Sequence, residues 1–218
     1  MRAALLPILC GVALSCREVL PVEADVVING YQLDGTVTTT DGMPLDSVSV
    51  VLYYSCMPVS LSPLDTIQVN VTDSTKIVYV AVFDVNNSRV RKLYQRYRHP
   101  GPVPRFSWDE RDDGGQFVPS GKYWIEYVYG DTLVKAVPYL AEGHVTTMTN
   151  SIGEFTIPTE RLPVGELFDF YNDDGSYDAT YQVFPQIDLV FRRSTSRSLV
   201  YEVPLDHNRV SHGVFKLG

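Results

Sequence analysis

The chain has 218 residues, 44% of them hydrophobic and 20% charged, with a formal net charge of −8 at neutral pH. A chain of this length can bury enough apolar surface for one large domain or two small ones. An acidic excess without a basic stripe repels phosphate backbones, so nucleic acid is excluded as an expected partner.

A single cation, Arg2, precedes the apolar run from Ala3 to Ser15, which has about the length of a signal-peptide core and is too short to cross a bilayer as a helix. The run ends Val12-Ala13-Leu14-Ser15-Cys16. That ending resembles the lipobox of bacterial lipoprotein precursors, with Ala13 where the family prefers Leu. The resemblance implies a signal peptide over 1–15, lipidation of the Cys16 thiol and a tether over 16–29. Several acyl chains on one Cys anchor far more firmly than a single myristoyl chain. Arg17, and not Asp, follows the Cys, which points to the outer membrane. The same residues also read as an ordinary secretory signal with an incidental Cys, or as a hydrophobic N-terminal strand. Of the three cysteines, Cys10 leaves with the signal and Cys16 carries lipid. Cys56 is left without an intramolecular disulfide partner, to pack as a small hydrophobe.

Beyond Asn29 the periodic segments have period two. Val48, Val50 and Leu52 alternate with Ser and Val, and Ile67, Val69 and Val71 with polar residues. Tyr79–Phe83, Tyr123–Tyr129 and Ile187–Phe191 are β-branched and aromatic runs bounded by Gly, Pro, Asn or Asp. The best helical candidate, 160–170, is broken by Pro163 and Gly165. Short strands with frequent turn signals predict an all-β fold of β-sandwich modules.

Gly35-Thr36-Val37-Thr38 is followed by a turn at Asp41-Gly42, by Pro44-Leu45 and by the alternating Val48, Val50 and Leu52. Glycine makes positive φ cheap at such a turn. Far downstream come Asn150-Ser151-Ile152-Gly153-Glu154-Phe155-Thr156-Ile157 and then Leu162-Pro163-Val164-Gly165. In that order the pieces resemble carboxypeptidase regulatory-like domains, which are transthyretin-like sandwiches. Asn150 stands in the Asp position of the family's D-x-x-G-x-F-x-I hairpin, and Gly153 and Phe155 match its Gly and Phe. The wide separation departs from the family pattern and implies an insertion.

Within the gap, Val80-Ala81-Val82-Phe83-Asp84 and Val90-Arg91-Lys92-Leu93 precede Trp108-Asp109-Glu110-Arg111-Asp112-Asp113-Gly114-Gly115 and then Gly121-Lys122-Tyr123. This resembles the Ig-like domain of flagellar hook-capping proteins, a module reused on secreted and surface proteins of bacteria. Trp108 is expected as a core anchor between sheets. Asp109, Asp112 and Asp113 with Gly114 and Gly115 suit tight turns whose side chains bond their own backbone. Gly121 lets the chain bend into the strand at Tyr123, and Glu110 replaces the usual Gly. The implied organisation is two β-sandwich modules, the second inserted in the first: a discontinuous outer module over 30–62 plus 140–218, and an inner one over 63–139.

No catalytic residue and no cofactor is expected. His99, His144, His207 and His212 lack zinc spacing, and no G-x-S-x-G elbow or phosphate loop occurs. Two carboxylates facing across a cleft are the one enzymatic arrangement a single sequence does not exclude. For metals the acidic turns at 109–114 and at Asn172, Asp174 and Asp178 are the only calcium candidates. The second lacks the bidentate Glu of a calcium loop, so the turn reading is preferred. The basic cluster Arg89, Arg91, Lys92, Arg96 and Arg98 alternates with apolar residues as a solvated strand face does. Tyr123, Tyr127 and Tyr129 alternate with Trp124, so one side packs and the other, where exposed, favours protein or sugar contacts, unless both sides simply serve as core. The expected role is a non-catalytic, lipid-anchored envelope protein that binds or assembles with another envelope protein. The alternative is a carbohydrate-binding surface lipoprotein using exposed Tyr and Trp. Neither family resemblance carries a function with it, because a fold is reused for many.

Overall fold

The computed structural model describes residues 29–64, 69–73, 75–97, 99, 101–172, 174–193 and 199–218; the signal-like segment, Cys16 and the tether up to residue 28 lie outside the described residues. The alternating segments are strands, and no α-helix occurs among the described residues. In chain order they are β1 (Tyr31–Thr39), β2 (Ser49–Ser60), β3 (Ile77–Phe83), β4 (Arg89–Tyr97), β5 (Gly121–Tyr129), β6 (Thr132–Ala141), β7 (Val145–Met148), β8 (Glu154–Ile157), β9 (Leu167–Tyr171), β10 (Tyr177–Arg192), β11 (Leu199–Pro204) and β12 (Arg209–Leu217). They form three sheets, ordered β12-β1-β8, β11-β10-β2-β7 with β9 also on β10, and β4-β3-β5-β6. The protein is all-β.

The first two sheets supply opposite walls of one apolar core. Ile187, Leu189 and Phe191 of β10 and Val50 and Leu52 of β2 point inward because strand side chains alternate. They meet Leu33 and Val37 of β1, Phe155 and Ile157 of β8, and Phe215 of β12. Phe155 and Phe215 stand 5.7 and 4.8 Å from Phe191, ring to ring. Gly35 makes this possible, since a Cβ there would fall 2.3 Å from Phe155 Cζ. The last strand lies parallel beside the first, in register from Tyr31 with Arg209 to Thr39 with Leu217. Residues on both sides of 63–139 thus share one core.

A second core, drawn from residues between Val69 and Ala141, lies on one face of the β4-β3-β5-β6 sheet. Val78, Val80 and Val82 of β3 and Tyr123, Ile125 and Tyr127 of β5 face Val69, Val103, Trp108 and Val118. The far wall is irregular chain, tied by isolated bridges between Val69 and Val103 and between Arg111 and Phe117. Alternation over 67–71 predicts a strand, yet its described part makes only the first of those bridges. Pro102 and Pro104 have no N–H for a ladder on the opposing segment. The segment 160–170 holds a single 3-10 turn, Thr159–Arg161, before β9 begins. β6 runs on past 139: Leu140 packs in the first core and Ala141 in the second.

Candidate functional site

The two cores meet at a polar seam. Ser120, fully buried, precedes β5 and lies against the chain on both sides of it. Its hydroxyl accepts the His144 N–H at 3.1 Å and has the carbonyls of Leu52 and His144 at 3.0 and 3.1 Å to receive its proton. The Gly143 N–H donates to the same Leu52 carbonyl. Nearby, Tyr54 OH donates to the Arg161 carbonyl at 2.8 Å, and Arg161 Nη1 donates to Tyr123 OH at 3.0 Å. Lys122 on β5 pairs with Glu166 ahead of β9, and the Arg105 guanidinium stacks 3.3 Å from the Tyr171 ring centroid.

Three carboxylate-centred contacts give the seam its electrostatics. Glu142 Oε2 accepts the Tyr54 N–H at 3.2 Å. Burial pushes the Glu142 carboxyl above its usual range, and the nearby Glu110 charge pushes the same way; the Tyr54 N–H works against both. Burial likewise raises the Tyr54 phenol well above its usual value. Glu110 accepts Tyr139 OH at 3.0 Å on one oxygen and meets His144 Nε2 at 2.5 Å on the other. It does so from a left-handed backbone, φ 58°, a conformation that favours glycine. His144 in turn stacks on Phe117 at 4.5 Å, and the Arg111 guanidinium lies over that ring at 3.6 Å.

Alongside the seam a cleft of about 420 Å³ opens between β5 and the first core, lined by Trp124, Lys122, Tyr31, His207, Glu160, Glu166 and the apolar chain 162–164. Trp124 is half-buried there, and Lys122 Nζ stands 4.4 Å from the centroid of its ring. Comparison with protein-family models, curated proteins and solved structures finds no match. The residues themselves carry the functional argument.

The motif residues singled out in the sequence lie in turns and cores. Trp108 is buried, donates its indole N–H to the Arg111 carbonyl at 2.8 Å, and packs edge-on to Tyr123 and Tyr139. Asp109 and Asp112 accept local backbone N–H groups, from Arg111 and Gln116. Asp113 differs: it accepts the Lys92 N–H of β4 at 3.0 Å and pairs with Arg89 at 3.2 Å. The Lys92 N–H, with the charges of Arg89 and Arg91, holds its carboxyl below the usual range, although partial desolvation opposes this. A Cβ on Gly114 would meet Asp112 Oδ1 at 3.2 Å. Gly121 is buried at the head of β5, with φ 154°. Gly153, φ 78°, closes a hairpin in which Asn150 Oδ1 accepts the N–H groups of Ile152 and Glu154, and Phe155 is in the first core.

Asn172, Asp174 and Asp178 do not converge. The first two bond Ser176 within the β9–β10 turn, and Asp178 accepts Tyr181 OH. Among the described residues no group of three His, Cys, Asp or Glu side chains is placed to hold a metal ion. Tyr123 and Tyr127 are core residues. Cys56 packs half-buried against the first core, where burial and the Glu142 charge raise its thiol to about 11. The seam residues Ser120, Glu142 and Arg161 left no signal in the sequence; Glu110, where the Ig-like resemblance expects a Gly, left one.

A run of apolar side chains is exposed where β2 ends. Met57, Val59, Leu61 and Leu64 are all exposed, Leu61 at 86%. Leu167 on β9 and Met57 on β2 flank Gln182 in one row across the sheet, and exposed Phe184 follows on β10. The Leu64 N–H bonds both oxygens of Asp169 at 3.1 Å, which pins the end of this run to β9.

Proposed function

We propose that the chain is a non-catalytic, lipid-anchored protein of the bacterial cell envelope whose folded part docks another envelope protein. In this reading Cys16 carries the lipid at the outer membrane. A carboxypeptidase regulatory-like sandwich, 30–62 plus 140–218, accepts an Ig-like insertion over 63–139. Support for the split comes from the way the first core draws on both flanks of that segment while the second draws on the segment and its edges.

The observation that carries the docking role is the exposed apolar run Met57–Leu64 with Leu167 and Phe184. A cluster of exposed apolar side chains of this kind is characteristic of protein interaction sites. Its flexible Met and Leu side chains suit a protein partner better than a rigid polar ligand.

The test places a photo-cross-linking amino acid at Leu61, at Met57 or, as control, at Ile152 on the β7–β8 turn, in intact cells. A discrete adduct from the first two positions, absent from the third and lost when Leu64→Asp is added, is the expected result. Equal capture from Ile152, or no adduct from Leu61 and Met57, refutes the docking surface. Cell fractionation of Cys16→Ser tests the anchor: a folded protein released from the membrane fraction is expected, and retention there refutes lipidation.

A further inference from the structure

The cleft beside the seam has a chemistry of its own, and we infer that it binds a neutral sugar ring, a pyranoside, as a second site independent of the apolar run. Its volume, about 420 Å³, lies within the range of small-molecule sites, which run from about 300 to 1,000 Å³ and favour the junctions between domains. Two aromatic rings line it: Trp124 on β5, and Tyr31 at the start of β1, held edge-on by His207 at 5.1 Å. Leu162 and Pro163 are buried beneath.

The polar groups select among ligands. Lys122 and Glu166 form an ion pair at the rim, and the Glu160 carboxylate is exposed beside them. An acyl chain filling the cleft would strip water from that pair without replacing its hydrogen bonds, which is costly. A phosphate or nucleotide would face two carboxylates against one ammonium. A ligand cation would find its place taken, because the Lys122 ammonium already lies over the Trp124 ring and against Glu166. A pyranoside escapes the first two objections, and it needs only the indole face that Lys122 leaves uncovered. It is uncharged, it offers an apolar C–H face to an aromatic ring, and its hydroxyls both donate to carboxylates and accept from an ammonium. The Lys122 contact also fixes the indole before any ligand arrives, which limits the ordering cost of binding.

The two tryptophans make the test direct, since Trp108 is in the second core and Trp124 lines the cleft. The purified full chain is titrated with methyl β-glucoside, methyl β-galactoside, methyl α-mannoside and methyl N-acetyl-β-glucosaminide, by tryptophan fluorescence and by calorimetry. Saturable binding of at least one glycoside is expected. Calorimetry should show it weakened about tenfold, equivalent to about 1.4 kcal/mol, by Trp124→Leu and by Glu166→Gln. Phe117→Ala, on the far side of the seam against His144, should leave it unchanged. Trp124 and Glu166 both lie outside the cores, so both variants are expected to fold. No saturable response to any of the four glycosides overturns the inference, as does binding that survives Trp124→Leu intact. Saturation by sodium phosphate or by tetramethylammonium in place of the glycosides overturns the ligand class. The cross-linking at Leu61 reads a different surface, so either result there leaves this one standing.

Discussion

Glu110 holds a backbone conformation that costs an L-residue on the order of 1 kcal/mol and costs glycine almost nothing. Its carboxylate compensates by accepting Tyr139 OH and meeting His144. A charged hydrogen bond at a partly buried site contributes about 1.5–3 kcal/mol, so the bonds outweigh the strain. Glu110→Gly is therefore expected to lower stability by about 1–2 kcal/mol in urea unfolding, with Glu110→Gln between it and the wild type. If Glu110→Gly proves the more stable protein, strain dominates and the carboxylate is dispensable. Glu142 gives the opposite kind of test. Its raised carboxyl means that the folded state favours the protonated form, so its contribution is fully present at low pH and is lost as pH rises through the raised value. Glu142→Gln keeps an oxygen for the Tyr54 N–H and has no charge to bury. It is expected to be the more stable protein at neutral pH, with the gap closing as pH falls below the ordinary glutamate range. Unfolding curves at the two pH values check this, and a gap that widens on acidification contradicts it.

At the scale of elements, alternation was legible because strand side chains report which face is buried. Val48, Val50 and Leu52, Tyr79–Phe83 and Ile187–Phe191 could hardly be placed otherwise, and Asn150 with Gly153 announced their hairpin. The wall opposite β3 and β5 was not legible, because Val69 and Val103 meet by a single bridge and leave no period to read. Asp113 looks like a turn residue in sequence and in fact reaches β4, whose distance along the chain local reasoning cannot see. Ser120 shows the same limit most sharply: a serine between Pro and Gly reads as a turn, yet it joins three segments at the seam. Removing its hydroxyl leaves the His144 N–H without an acceptor among the described residues, a loss of about 1 kcal/mol at this part-buried contact. Ser120→Ala is expected to destabilise by that amount and to speed hydrogen exchange at the His144 amide. Unchanged exchange there would mean that the seam does not depend on this contact.

For the whole molecule the decisive fact is where the segment proposed as an insertion, 63–139, leaves and returns. It departs past Ser60, where Leu64 is pinned to Asp169, and comes back at Gly143, whose N–H bonds the Leu52 carbonyl 2.9 Å away. Those points lie at different heights along β2, separated by the stretch from Leu52 to Ser60, about 25 Å at strand rise. An insertion whose ends are close can be cut out and the chain rejoined; here a direct junction between Ser62 and Leu140 would drag β2 or Leu140 out of the first core. Excision of 63–139 with a direct join is therefore expected to yield an unfolded or aggregated product. The same excision bridged by a Gly/Ser linker of about ten residues or more can span the gap. It should fold, because the first core is otherwise complete. It should also be less stable than the full chain, since Ser120, Lys122, Tyr123 and Arg105 no longer cover the seam. Dispersed amide NMR signals from the linked form, and their absence from the direct join, are the readout. A direct join that folds as well as the linked form would mean that the two cores are not divided as proposed.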